Sequence, residues 1–295
     1  MLAANIIEQL ARQCYTVRAM VRKGRSYPGP KSAHVRIVEA DFKSAADMEP
    51  LVAGCDAVLH VAAMTSQSCR DYSEYRRVNV DATRMLADMA ACNGVKTFLY
   101  VSTANTIGFG GDENRPMAYP FTESFYARSK KEAEDVVMSF GDRMRIVVVN
   151  PTFMIGKYGS LHGSNRVFSM IRRSPVVFYP SGGKNVIDVS EAAGGVIMAM
   201  QRGRSGEKYL ICGGNYSYRQ LFVQLGKRLD VSRLYVRIPD FLLRIAGCAG
   251  EAAARAGIDT ELTRANMEIL MVNNFYSTDK ARCDFGFMPH NDITI

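Results

Sequence analysis

No stretch of this 295-residue chain is apolar for long enough to cross a membrane as a helix, and no basic–apolar–small signal pattern opens it. Both absences argue against a membrane span or a secreted precursor, and the expected location is cytoplasmic. The seven cysteines, at 14, 55, 69, 92, 212, 248 and 283, include no C-x-x-C pair. That argues against a disulfide or zinc framework, and the expected metal complement is none. Internal repeats, low-complexity tracts and long linkers are also missing. The charge is lopsided, at +8, yet the short basic clusters (22–25, 76–77, 130–131, 172–173, 202–204) are dispersed and not interleaved with aromatics. Nucleic acid is therefore not the expected partner. An anionic small ligand, or simple solubility, accounts better for the charge.

What remains is an ordinary globular composition, 47% hydrophobic and 22% charged, in a chain long enough for one large core or two linked smaller ones. Strand and helix patterns alternate through its first half. "TVRAMVR" (16–22), "VRIVEADF" (35–42), "AVLHVAA" (57–63), "TFLYVST" (97–103) and "RIVVVNP" (145–151) read as strands, and the third is apolar on both faces, as a buried parallel strand is. Helices are predicted over 73–94, with Gly94 as a stop, and over 126–140. The alternation predicts an α/β fold built on a doubly wound parallel sheet. Past Pro151 the rhythm changes. Residues 1–155 form the expected Rossmann-like dinucleotide-binding part. Residues 156–295 form a smaller, mainly substrate-binding region, with 185–212 returning to the cofactor part.

The sharpest local signal is "FYARSKKEAED". Tyr126 and Lys130 are four apart on a predicted helix and so share a face. An ammonium beside a phenol favours the phenolate and lowers its pKa, which would suit the tyrosine to acid–base work. Alone, such a pair is more often two surface neighbours. Upstream, Ser102 and Thr103 stand at the carboxyl end of an apolar strand, where doubly wound sheets bind ligands. Either hydroxyl could meet a carbonyl that Tyr126 protonates, or both could only cap a turn.

At this point the chain resembles the extended short-chain dehydrogenase/reductases, the NAD-dependent epimerase/dehydratase family. The likeness runs in order through "VRAMVR", "VEADF", "CDAVLHVAA", "VNVDATRML", "YVSTANTIG", "YARSK", "VVVNPTFMIG", "NVIDVSEAAGGVIMAM" and "YSTDKARCDFGFMP". The resemblance implies that Tyr126 is the acid/base and that Lys130 tunes it and holds the nicotinamide ribose. It implies Thr103 as the catalytic hydroxyl, with Ser102 the runner-up. Asp41 and Phe42 would flank the adenine. Val61, Ala62 and Ala63 would line the cofactor's path, with Asn79 and Val101 beside it. Pro151, Thr152, Phe153 and Met154 would pass the nicotinamide. His60 reads as a packed core histidine.

The cofactor is chosen where the second family strand ends. Here "VRKGR" offers no acid for a ribose 2′-hydroxyl. Arg22 could pair with a 2′-phosphate and Lys23 could add charge, so NADP(H) is preferred, with NAD(H) the alternative. The family begins with a short strand and a Gly-rich turn before the helix that "MLAANIIEQL" resembles, with Ala3 near the third glycine. The expectation is that the chain as given is clipped in front of Met1 and, from its abrupt "NDITI" end, trimmed there too. A natural loss of the phosphate loop is the rival.

The resemblance implies hydride transfer to a small-molecule ketone or aldehyde, and the likeness is greatest to dihydroflavonol-reductase-like members. A nucleotide-sugar epimerase or dehydratase with bound NAD is the alternative; it needs a diphosphate site, which Arg166, Arg172 and Arg173 could provide, though any surface helix can carry such residues. A non-catalytic clipped member is the third reading. Met154, Phe168, Phe178 and Tyr179 could line an apolar pocket or fill core. A homodimer through the two long helices is allowed by the family habit.

Overall fold

The computed structural model describes residues 1–66, 69–160, 163–258 and 260–290. The terminal "NDITI" lies outside the described residues. The first half alternates as its pattern predicts. Helix α1 (Leu2–Arg12) leads to strands β1 (Val17–Val21) and β2 (Val35–Glu39), helix α2 (Ala45–Val52) and strand β3 (Ala57–His60). A single turn α3 (Tyr72–Tyr75) and a π-helical segment (Arg76–Asp81) run into α4 (Ala82–Cys92). The long helix expected over 73–94 therefore exists but is wider in its first half. It stops at Gly94, which takes φ +71, a conformation costly for other residues.

Strand β4 (Thr97–Val101), helix α5 (Phe125–Met138) and strands β5 (Arg145–Pro151) and β6 (Phe153–Ile155) follow. The remainder comprises α6 (Arg166–Arg173), β7 (Val176–Tyr179), β8 (Gly183–Asp188), α7 (Val189–Arg202), β9 (Glu207–Ile211) and β10 (Gly214–Ser217). Last come α8 (Tyr218–Arg228), β11 (Leu234–Arg237), α9 (Asp240–Arg255), α10 (Arg264–Ile269), β12 (Asn273–Asn274) and α11 (Asp279–Phe285).

The central sheet is parallel throughout, in the order β3-β4-β5-β9. All its strands therefore point their carboxyl ends at one edge, where β4 ends at Val101 and β5 at Pro151. Two apolar clusters cover its faces. One gathers Leu2, Ile6 and Leu10 of α1 with α7 and α11. The other gathers α2, α4 and α5 around Phe98, Tyr100, Ile146 and Val148. Strands β4 and β5 are apolar on both sides because both sides are covered.

One feature departs from a continuous doubly wound sheet. Strands β1 and β2 form a separate parallel pair, and among the described residues no ladder joins β1 to β3. Side chains hold the pair in place instead. Val17 packs with Ala57 and Leu59 on the first cluster, and Met20 and Val38 with Val58 on the second. A further small sheet sets β8 between β10 and β12 and also pairs it with β6. It stands beyond the carboxyl edge, because β6 follows β5 after a single residue.

Candidate active site

Helix α5 begins at an N-cap, Ser124, whose side chain accepts a hydrogen bond from the Ala127 N–H. Tyr126 and Lys130 follow one turn apart on the face toward β4. Lys130 is only 1% exposed. Its Nζ donates to the Val101 carbonyl at 2.8 Å and lies 4.1 Å from the centre of the Tyr100 ring. Burial pulls its pKa down to about 7, against an opposing pull from the Glu134 carboxylate.

Burial pushes Tyr126 up to about 12, and a hydrogen bond with the Thr103 side chain pulls it the other way. The expected lowering of the phenol by Lys130 is therefore corrected. In the chain alone desolvation wins, because the ammonium is directed at Val101 and is itself weakened by burial.

Thr103 serves two ends. It N-caps the short 3-10 turn Ala104–Thr106, its side chain accepting from Asn105 N at 3.3 Å, and it meets Tyr126. Ser102 is buried just past the end of β4, and among the described residues its Oγ has no hydrogen-bond partner. The hydroxyl brought to Tyr126 is thus that of Thr103. Beside it opens a cavity of about 130 Å³ lined by Thr103, Pro151, Thr152, Phe153, Asn185 and Tyr276, among others. Thr152 is tied down by its Oγ1 donating to Asn185 Oδ1 at 2.7 Å. Lys184, also on the cavity wall, sits 4.4 Å from the Phe153 ring centre.

The remaining candidates are spread more widely. Val61, Ala62 and Ala63 are half-buried just beyond β3. Asn79 is buried and fully engaged: its Oδ1 accepts from Met64 N at 2.7 Å, and its Nδ2 donates to Met64 O and Ser129 Oγ. It clamps the segment after β3 against α5. Met154 packs on the first core cluster. Phe42 is buried with its ring 6.2 Å from that of His60. Asp41 is paired with Lys43 at 3.6 Å. Ala3 is half-buried in the first turn of α1, and Glu8 ties this helix to Lys157 and Tyr158 at 2.9 Å each.

His60 sits among Phe42, Phe98 and Tyr100 with Nε2 2.8 Å from Thr83 Oγ1. Burial drives its pKa to about 3, with Lys130 adding to the effect, so it is a neutral core histidine. Beyond β1, Lys23 is engaged by Asp47 at 3.2 Å. Arg22 is exposed and, among the described residues, its guanidinium has no partner. An acid does reach this turn from elsewhere: Glu39 Oε2 lies 3.5 Å from Gly24 N.

Of the two roles open to Met154, Phe168, Phe178 and Tyr179, core filling is the one the packing gives to three of them. Phe168 and Tyr179 pack on a third cluster around α8, and Phe178 is 58% exposed. Arg166, Arg172 and Arg173 all lie on α6, and none lines the cavity.

The sequence reading missed the layer behind Lys130. Glu134 is fully buried, with Oε1 accepting from Thr106 Oγ1 at 2.6 Å and Asn150 Nδ2 at 2.7 Å, and Oε2 from Lys208 Nζ at 2.8 Å. The signal was present. Glu134 follows Lys130 by four residues and Tyr126 by eight, so all three share a helix face. Among the described residues, no group of three or more His, Cys, Asp or Glu is placed to hold a metal, and no helix is long and apolar enough to cross a membrane.

Comparison with known proteins shows the family and the fold. The family described as NAD dependent epimerase/dehydratase matches residues 1–212. A Synechocystis protein named "Putative dihydroflavonol 4-reductase" is 26% identical over 98% of this chain and 88% of its own length. The 4-hydroxy-2-methyl-3-oxo-4-farnesyl-3,4-dihydroquinoline-1-oxide ketoreductase of Stigmatella aurantiaca is 25% identical over 97% of this chain and 88% of that protein. Among solved structures, gox2253 superposes with a TM-score of 0.83 at 24% identity, over 98% of this chain and 91% of that one.

Proposed function

Since this chain belongs to the NAD-dependent epimerase/dehydratase family, whose members work with NAD(P), we propose that it is a reductase acting on a ketone or aldehyde of a small molecule, with NADPH as the reductant. The observation that carries the reading is the placement of Tyr126 one helical turn from buried Lys130, whose Nζ is fixed on Val101 O at the carboxyl edge, with Thr103 on the wall of the adjoining cavity. The named ketoreductase activity of the Stigmatella relative supports the same reaction class.

The residues suit such a cofactor. An ammonium has three donors, and among the described residues the only hydrogen bond Lys130 makes is to Val101 O. Two N–H groups remain to hold a ribose diol. When bound, the cofactor supplies a hydride to the carbonyl carbon. The protein's part is the proton. Tyr126 Oη, kept protonated by burial, is suited to give its proton to the carbonyl oxygen. The Thr103 hydroxyl orients that oxygen by hydrogen bonding. Positive charge on Lys130 then stabilises the phenolate left behind. At the far end, the exposed Arg22 guanidinium after β1 supports the preference for a 2′-phosphate.

Titration of NADPH and NADH into the chain, followed by cofactor fluorescence, tests the reading together with reduction of a panel of ketones and aldehydes. NADPH is expected to bind more tightly, with Arg22→Ala erasing the difference. Tyr126→Phe is expected to slow reduction by about 10²-fold or more without weakening cofactor binding. No binding of either nucleotide by the folded chain would sink the reading.

A further inference from the structure

We propose that Glu134 is a positioning residue: its buried carboxylate, one turn from Lys130 on α5, acts on that ammonium and fixes the turn that presents Thr103. The proposal rests on the reductase reading above and adds a second layer to it.

A carboxylate with no exposed surface is costly to keep, so its partners show what it is kept for. Oε2 is balanced by Lys208, which is 25% exposed. Oε1 faces away from that pair and takes two charge-assisted hydrogen bonds, from Thr106 Oγ1 and Asn150 Nδ2. Both donors also touch the Thr103 carbonyl, Asn150 Nδ2 at 3.1 Å and Thr106 Oγ1 at 2.9 Å. The hydroxyl of Thr106 has one proton, shared between Glu134 Oε1 at 2.6 Å and the Thr103 carbonyl at 2.9 Å. Asn150 offers two amide protons to three acceptors, Glu134 Oε1 at 2.7 Å, Thr106 Oγ1 at 3.0 Å and Thr103 O at 3.1 Å. Glu134 thus sets the orientation of the groups that hold the Thr103 backbone.

The same carboxylate lies one turn from Lys130 on α5 and opposes the effect of burial on that ammonium. The other titratable groups around Lys130 do not supply a negative charge near neutral pH. Tyr126 on α5 and Tyr100 on β4 are phenols held protonated by burial. His60 on β3 is neutral. Lys208 on β9 is cationic and stands beyond Glu134, damping its field. A salt bridge too remote from Lys130 to act on it would leave its titration unmoved by removal of either partner. A carboxylate acting on Lys130 makes the two substitutions act in opposite directions.

The test is the titration of Lys130 in the full chain without cofactor, read from the ¹³Cε resonance of labelled lysine and assigned with Lys130→Met. Glu134→Gln is expected to lower the midpoint by about one pH unit or more. Lys208→Met is expected to raise it, and Glu134→Asp to restore most of the wild-type value. The alkaline side of the reduction rate against pH is expected to move with the resonance. An unmoved midpoint in folded Glu134→Gln, or a shift of the same sign in Lys208→Met, overturns the proposal. Should Glu134→Gln not fold, the double variant Glu134→Gln/Lys208→Met decides: its midpoint is expected to lie below that of Lys208→Met alone, and an equal midpoint overturns the proposal. Absence of reductase activity in the wild type sinks the reaction assigned above but leaves the Glu134–Lys130 coupling to be judged by the resonance.

Discussion

Lys130 meets two opposed demands. It must be buried to reach the carboxyl edge of β4, yet burial strips its ammonium of water and draws its pKa from 10.5 to about 7. The consequence for stability has a definite sign. Between those two values the unfolded chain binds a proton that the folded chain does not, so this group makes folding more favourable as pH rises. Urea unfolding at pH 7 and pH 9 is expected to show a gain toward pH 9 that Lys130→Met abolishes. An equal gain in the variant would assign it to other groups. The spacing of Tyr126 and Lys130 could be read from "YARSK", because a helix places residues four apart on one face. Their protonation could not, since it depends on how much of each group the rest of the chain covers.

Single elements carry the site through their ends. Helix α5 starts at Ser124, two residues before Tyr126, so the cap that sets its first turn also sets the phenol. The small sheet around β8 builds the cavity wall with Lys184 and Asn185, and it depends on a close crossing at Gly213. A Cβ there would lie 2.2 Å from Val186 O and 2.9 Å from Ile187 Cα, both backbone atoms. Gly213→Ala is expected to cost about 1–3 kcal/mol in thermal or urea unfolding, with Km for the carbonyl substrate rising because Asn185 bonds to the same glycine. An unchanged variant would show that the two strands can separate freely. Element types in the first half could be read from periodicity. The π-helical stretch at Arg76–Asp81 could not, since "RRVNVD" differs from ordinary helix only in which carbonyls its N–H groups find.

In the whole molecule the central sheet and the β1–β2 pair are held by different forces. Strands β4 and β5 are laddered on both sides and buried on both faces, whereas β1 and β2 pair only with each other and are partly exposed. Hydrogen exchange is expected to protect amides of Phe98–Val101 and Ile146–Val149 far longer than those of Val17–Val21. Comparable protection in both would mean that the side-chain contacts at Val17 and Met20 lock the pair as firmly as a ladder. By itself the sequence determined the α/β class, the order of the first-half strands, the family, and the helix face shared by Tyr126 and Lys130. Those follow from periodicity and spacing along one segment, or from motifs in order. Only the tertiary structure decided that Thr103 and not Ser102 meets Tyr126, that the α6 arginines stand off the cavity, and that Glu134, Asn150, Thr106 and Lys208 converge behind Lys130. These depend on contacts between residues from 16 to 74 positions apart, such as Glu134 with Asn150 and Glu134 with Lys208, and such contacts exist only once strands β4, β5 and β9 lie side by side.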